Sequence, residues 1–209
     1  MKKCGRCGTE ADDSARYCPG CGVEIEDYPR PGGFWIRGAA YLLDELVFLP
    51  LAVLIYRNLL STKSLLQLIV LLIPLLLYKP LMESFFGATL GKMACGLRVI
   101  DGRRERLSLV AAYVRFIPRL VSIGMGLWII VPLFGSPEFA GVSTMAELAE
   151  LVSKRPSMVI EDIVNLLVVF DHGIVALTYR KRAIHDMMAG SYCVYERSLE
   201  QFRRQEEGA

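Results

Sequence analysis

The chain alternates between long apolar blocks and short polar segments, and the block lengths set the first expectation. Apolar residues gather near 36–56, 65–82, 117–135 and 159–179. At ~1.5 Å per residue, each block can cross ~30 Å of hydrocarbon as a helix. The pattern therefore predicts four transmembrane helices. The second and third blocks are the clearest, and "LLQLIVLLIPLLLY" carries no charge at all. The first, "FWIRGAAYLLDELVFLPLAVLIY", and the fourth, "VIEDIVNLLVVFDHGIVALTY", carry ionisable residues that hydrocarbon penalises.

The polar segments have their own patterns. In 83–116, Gly87, Gly91 and Gly96 suggest tight turns at the membrane surface, "LRVID" reads as a short strand, and "GRRE" as its turn. An amphipathic helix capped by Ser108 then leads into the third crossing. "SYCVYE" reads as a second strand, so 97–101 and 192–196 are expected to pair. "STMAELAELVSK", 143–154, reads as an amphipathic surface helix on the outer side. "VEIEDYPRPGG" is acidic, then rich in Pro and Gly, which makes a linker. The expected organisation is a cysteine-rich ribbon at 1–28, a linker at 29–33, a membrane domain at 34–196 and a charged tail at 197–209. The expected fold class is all-α integral membrane, with a small β-pair and an N-terminal cysteine-rich ribbon.

Composition agrees: 53% hydrophobic residues and a mean hydropathy of +0.37 are too apolar for an ordinary soluble protein. Charge then sets sidedness. Residues 83–116 hold Lys92, Arg98, Arg103, Arg104, Arg106 and Arg115, and the segment after Tyr179 is equally basic. Residues 57–64 and 136–158 hold only two Lys/Arg each. Basic loops stay cytoplasmic, which places both termini inside an inner membrane and requires an even number of crossings. The net charge of +2 then reflects topology and anionic headgroups, not nucleic acid. The six acids and four cysteines before the first block are wrong for a secretory leader.

Cys4, Cys7, Cys18 and Cys21 form two C-x2-C pairs ten residues apart. A two-residue gap turns both thiolates of a pair onto one tetrahedral ion, and Gly8 and Gly22 permit the tight turn. So short a segment cannot bury a useful core, so the metal would supply the folding energy. A cytoplasmic location argues against disulfides, and two matched pairs argue against a single redox dithiol. Structural Zn2+ with a closed coordination shell is the expectation. Cys95 and Cys193 read as lone structural thiols.

In the first block, Arg37, Ala40, Tyr41, Asp44, Phe48 and Leu51 share one helical face, with Glu45 about a quarter turn away. Asp44 lies about 10 Å deeper than Arg37, too far for a direct pair within the helix. It is either a cation or proton site or a structural pin bonded to another helix. In the fourth block, Asp171 beside His172 is either a proton relay or a cross-helix hydrogen bond. Lys79 and Glu83, four residues apart, read as an exposed interfacial ion pair. Gly91-Lys92 lacks the phosphate-loop spacing, because Met93 follows Lys92. No nucleophile with its base stands out, so an enzyme is not expected.

The segments "GFWIRGAAYLLDEL", "GATLGKMACGLRVIDG", "RLSLVAAYVRFIPR" and "RKRAIHDMMAGSYCVY" together resemble the RDD family of bacterial membrane proteins, named for one Arg and two Asp. On that resemblance the Arg is Arg37, the first Asp is Asp44 and the second is Asp186, while Glu45 stands where an apolar residue is usual. The resemblance implies that Asp186 meets Arg37 at the cytoplasmic face. Asp44 is expected within reach of Arg115 or Arg119. Two functions remain open. One is a scaffold or regulator whose ribbon and basic loops bind a protein partner. The other is a small cation or proton-coupled transporter with Asp44 as coupling acid and Arg37, His185 and Asp186 as its gate. So narrow a bundle would carry ions or form a homo-oligomer.

Overall fold

The structure, a computed structural model, describes residues 2–4, 7–12, 15, 17–22, 29–178 and 180–207. The expected ribbon boundary at 28, the end of the fourth block at Tyr179 and the tail's last residues, 208–209, lie outside the described residues.

Two short strands, β1 (Lys2–Lys3) and β2 (Glu10–Ala11), pair antiparallel at the N-terminus. The first apolar block forms α1, Phe34–Arg57, which continues through a π-helical turn at Asn58–Thr62. The second forms α2, Leu65–Phe85, started by the Ser64 side chain accepting from the Gln67 amide. A five-residue helix, α3 (Leu90–Ala94), and a strand, β3 (Leu97–Asp101), follow. Ser108 caps α4, Leu109–Ile130, as expected. A 3-10 turn at Val131–Gly135 then leads to α5 (Pro137–Gly141) and α6 (Met145–Ser153). The fourth block forms α7, Ser157–Leu177, and the chain closes with α8 (Ile184–Met188), β4 (Ser191–Tyr195) and α9 (Glu196–Glu207).

Among the described residues, three helical stretches are long and apolar enough to cross a membrane: Phe34–Thr62, Leu65–Phe85 and Leu109–Gly135. The expected fourth, α7, has 21 residues, which is long enough, but it carries three acids, Glu161, Asp162 and Asp171, within the length a span would need. Composition and length therefore mark three of the four expected spans among the described residues. Leu42, Leu66, Trp128 and Leu166 stand on the outer surface of the helices, an apolar exterior suited to lipid.

One end of the bundle is closed by the strands. β3 and β4 pair antiparallel with Leu97 opposite Tyr195 and Asp101 opposite Ser191, β4 starting one residue before the expected 192–196. Leu97, Val99 and Cys193 from this pair pack with Ala40 of α1 and Ala112 of α4. The expected linker is not free: Gly32 donates to Cys193 O at 2.9 Å, and Arg30 O accepts from Tyr195 N at 3.0 Å. Most of the charged tail is α9, whose Leu199 is buried with Ile100 and Val194.

At the other end, α5 and α6 form a cap around Leu133, Phe139, Val142 and Leu148, with Leu59 and Leu60 packed against it. Asn58 Nδ2 donates to Ser64 O and its Oδ1 accepts from Ser64 N, both at 3.0 Å, which closes the α1–α2 turn. Lys63 Nζ donates to Ala140 O at 2.6 Å and Val142 O at 2.7 Å, tying that turn to the carbonyls after α5.

Candidate functional site

The strand end gathers a buried set of charges. Arg37 in the first turn of α1 spends every guanidinium nitrogen on the chain. Nε donates to Gly32 O at 2.9 Å, Nη1 to Asp186 Oδ2 at 2.5 Å, and Nη2 to Lys181 O at 2.6 Å and Cys193 O at 3.2 Å. The meeting of Arg37 and Asp186 is the geometry the sequence resemblance implies. The guanidinium fork suits this task, because it delivers fixed donors to several acceptors at once.

Arg115, one and a half turns into α4, takes the other oxygen of Asp186 at 2.5 Å through Nη1. Its Nε donates to Glu83 Oε2 at 2.9 Å, and Nη1 also reaches Ser191 Oγ. Lys92 of α3 pairs with the second oxygen of Glu83. The sequence reading of Glu83 as an exposed rim partner of Lys79 is therefore corrected. Glu83 is fully buried, and its partners are Arg115 and Lys92. The i,i+4 spacing with Lys79 was a local cue, whereas burial is decided by α4 packing against that face of α2.

Asp186 lies in α8, where its Oδ2 also accepts from Ala183 N at 3.1 Å. Burial alone would push its carboxyl up, but Arg115 and Arg37 outweigh that and hold it well below the usual carboxylate range. On the far side, His185 turns one ring nitrogen to Asp171 and the other to Asp186 Oδ1 at 3.3 Å. Asp171 Oδ1 also accepts from His185 N at 3.0 Å. Asp171 thus bonds with His185, while Nδ1 of its neighbour His172 stands 3.7 Å away, beyond hydrogen-bond distance. The His172 Nδ1 meets Val168 O of its own helix at 2.8 Å rather than an acceptor on another helix. Adjacent helical residues point about 100° apart, so Asp171 and His172 cannot share one direction.

Asp44 differs most from expectation. Its Oδ1 accepts from Tyr78 Oη at 2.8 Å and Gly91 N at 2.8 Å, and its Oδ2 from Thr89 Oγ1 at 2.6 Å. These partners come from α2 and the start of α3, so neither Arg115 nor Arg119 is needed. The approach is close: a Cβ on Gly91 would lie 2.0 Å from Ala40 O and 3.0 Å from Asp44 Cγ. Thr89 in turn accepts from Lys92 N at 3.4 Å, and Tyr78 Oη accepts from Leu90 N at 2.9 Å. Arg119 instead faces Glu45 at 3.5 Å, an exposed and loose pair.

The sequence reading grouped Arg37, Asp44, Glu45, Arg115, Arg119, Asp171, His172, His185 and Asp186, and the structure brings Arg37, Arg115, Asp171, His185 and Asp186 into one network. It missed Glu83, Lys92, Tyr78, Thr89, Gly91 and Ser191. One cue was available for Asp44: "ATLGK" combines a capping Thr with a Gly two residues later, a start of helix that receives a carboxylate well.

At the N-terminus the four cysteines converge. Their sulfur atoms all lie within 4.8 Å of one another, with Cys4 to Cys21 at 3.6 Å and Cys7 to Cys18 at 3.4 Å. A tetrahedral ion with ~2.3 Å bonds to sulfur needs sulfurs about 3.8 Å apart, so the set fits one. Gly8 and Gly22 take positive φ of 74° and 68° as each chain turns back, their amides donating to Cys4 O and Cys18 O at 2.9 Å. Hydrogen bonding with Thr9 draws the Cys7 thiol down to about 6. That favours the thiolate form, which is the metal ligand.

A bundle of apolar helices with an Arg–Asp network sealed under a two-stranded sheet defines an integral membrane protein. Residues 31–190 match the RDD family, and the chain belongs to it. "Uncharacterized protein YckC" of Bacillus subtilis (strain 168) is 26% identical over 171 residues, covering 79% of this chain and 85% of that protein. No solved structure matches the chain.

Proposed function

We propose that the protein is a non-enzymatic scaffold or regulator of the bacterial inner membrane, crossing it four times with both termini in the cytoplasm. In this reading α7 is the fourth span, and the basic strand end faces the cytoplasm. The ribbon holds one structural Zn2+ on Cys4, Cys7, Cys18 and Cys21, and with the basic loops it offers a docking surface to a protein partner. Bound there, the metal would fix the fold of a segment too short to build a core.

The observation that carries this reading is that Asp44, Glu83, Asp171 and Asp186 each have both carboxylate oxygens engaged by groups of the same chain. A coupling acid must exchange partners with a moving cation or proton. Acids held on both oxygens by other elements act as pins. The test is cation-driven proton flux in proteoliposomes. The reading expects wild-type flux no greater than that of empty vesicles. Flux that disappears in a folded Asp44→Asn variant would overturn it.

A further inference from the structure

One face of α1 meets α2 and α3 through Asp44 and Phe48, but much of the rest of the helix is open, and Ala40 is its one buried residue. A cleft of about 550 Å³ runs beside it, lined by Leu42, Leu46, Leu49 and Ile55 of α1, Leu75 of α2 and, at one end, Glu45 and Arg119. From Leu42 to Ile55 the cleft follows about 20 Å of helix, on the scale of one leaflet of a ~30 Å core.

The charges at its end are unusual for a membrane span. Arg119 Nη2 and Glu45 Oε1 are 3.5 Å apart, longer than a good hydrogen bond, and the two side chains remain 43% and 46% exposed. Tyr41 Oη accepts from Arg119 Nη1 at only 3.4 Å. Glu45 lies eight residues beyond Arg37, about 12 Å along the axis. Charges so placed need a polar cover from outside the chain, because hydrocarbon does not supply one.

We propose that this cleft binds one aminophospholipid of the leaflet at the strand end, its acyl chain along the apolar wall and its headgroup across Glu45 and Arg119. A phosphoethanolamine head carries a phosphate and an ammonium a few bonds apart. Arg119 donates to the phosphate oxygens, and the ammonium donates to the Glu45 carboxylate. A phosphoglycerol head has no ammonium, so Glu45 would face an anionic group without compensation. The proposal does not depend on the scaffold reading, since neither Glu45 nor Arg119 belongs to the closed network.

The test reconstitutes the full chain in vesicles of equal phosphatidylethanolamine and phosphatidylglycerol. It is then extracted mildly, and retained lipid is counted by native mass spectrometry. Wild type is expected to retain phosphatidylethanolamine over phosphatidylglycerol by about tenfold, the worth of a charged hydrogen bond. Glu45→Gln should bring that ratio near one with phospholipid still bound, and Leu46→Trp should lose both lipids by filling the cleft. Equal retention by wild type, or an unchanged ratio in Glu45→Gln, would overturn the proposal. So would a Leu46→Cys variant that forms disulfides between copies in the bilayer, because a second copy would then cover the cleft.

Discussion

Arg115 Nη1 lies 2.5 Å from Asp186 Oδ1, joining residues 71 apart in the chain, while Arg37 holds the other oxygen of the same carboxylate at 2.5 Å. One acid thus ties α1, α4 and α8 together, and Arg115 extends the tie to Glu83 of α2. The helices are fastened to one another at the strand end by charges removed from water. Such pairs are a poor source of net stability as a whole, yet losing one member strands the others.

Arg115→Met should therefore be among the most damaging single substitutions. It leaves Glu83 and Asp186 buried without their shared cation, a loss of about 3–5 kcal/mol. Arg115→Lys should not restore stability, because one ammonium cannot span both acids with fixed geometry. Thermal unfolding in detergent reads both.

Acid should loosen the same end of the bundle. Asp186 is held below its unfolded value, so its contribution is fully present above the unfolded value of ~3.9. It is lost as pH falls through that value toward the depressed folded one. Unfolding midpoints should be level between about pH 7 and 5 with respect to this group and fall below about pH 4. In Asp186→Asn the midpoint should start lower and decline less steeply over the same acid range.

Gly91→Ala should be far worse than the same change elsewhere. Its Cβ, fixed directly to the α3 backbone, would meet the α1 backbone at Ala40 O at 2.0 Å, a clash relieved only by parting α1 from α3. At Gly124 of α4 nothing lies within 4 Å, so Gly124→Ala should be neutral or stabilising by up to about 1 kcal/mol. The contrast between the two midpoints checks the close approach independently of charge.

How much of this was legible in the sequence differs by residue. The β3–β4 pair and the meeting of Arg37 with Asp186 were readable, the first from alternating strand residues and the second from a family resemblance. Glu83 was not, because its local spacing to Lys79 suggested a surface pair, and only the packing of α4 on α2 shows that Arg115 covers it. Asp44 was correctly singled out as needing a partner. The partner was sought among arginines, whereas a hydroxyl, a phenol and an amide suffice. Residues 30–32 looked like a free linker because their contacts with β4 are made by backbone, which composition does not reveal, and the tail looked free because a single buried apolar residue, Leu199, anchors it among charges.

The ribbon should be separable from the bundle. One zinc per chain is expected by elemental analysis, and none in Cys18→Ser. Chelation should abolish the ordered ribbon, read by amide exchange over residues 2–22, and leave the unfolding midpoint of the helices unchanged.

The most direct test of the pinned bundle is a double-mutant cycle on Arg37→Met and Asp186→Asn in lipid nanodiscs. If the two side chains act as one fastening, the double variant should be much less damaged than the sum of the singles, with a coupling of about 1–3 kcal/mol. Losses that add to within about 0.5 kcal/mol would show that the two groups act independently, and the account of a closed structural network would fail.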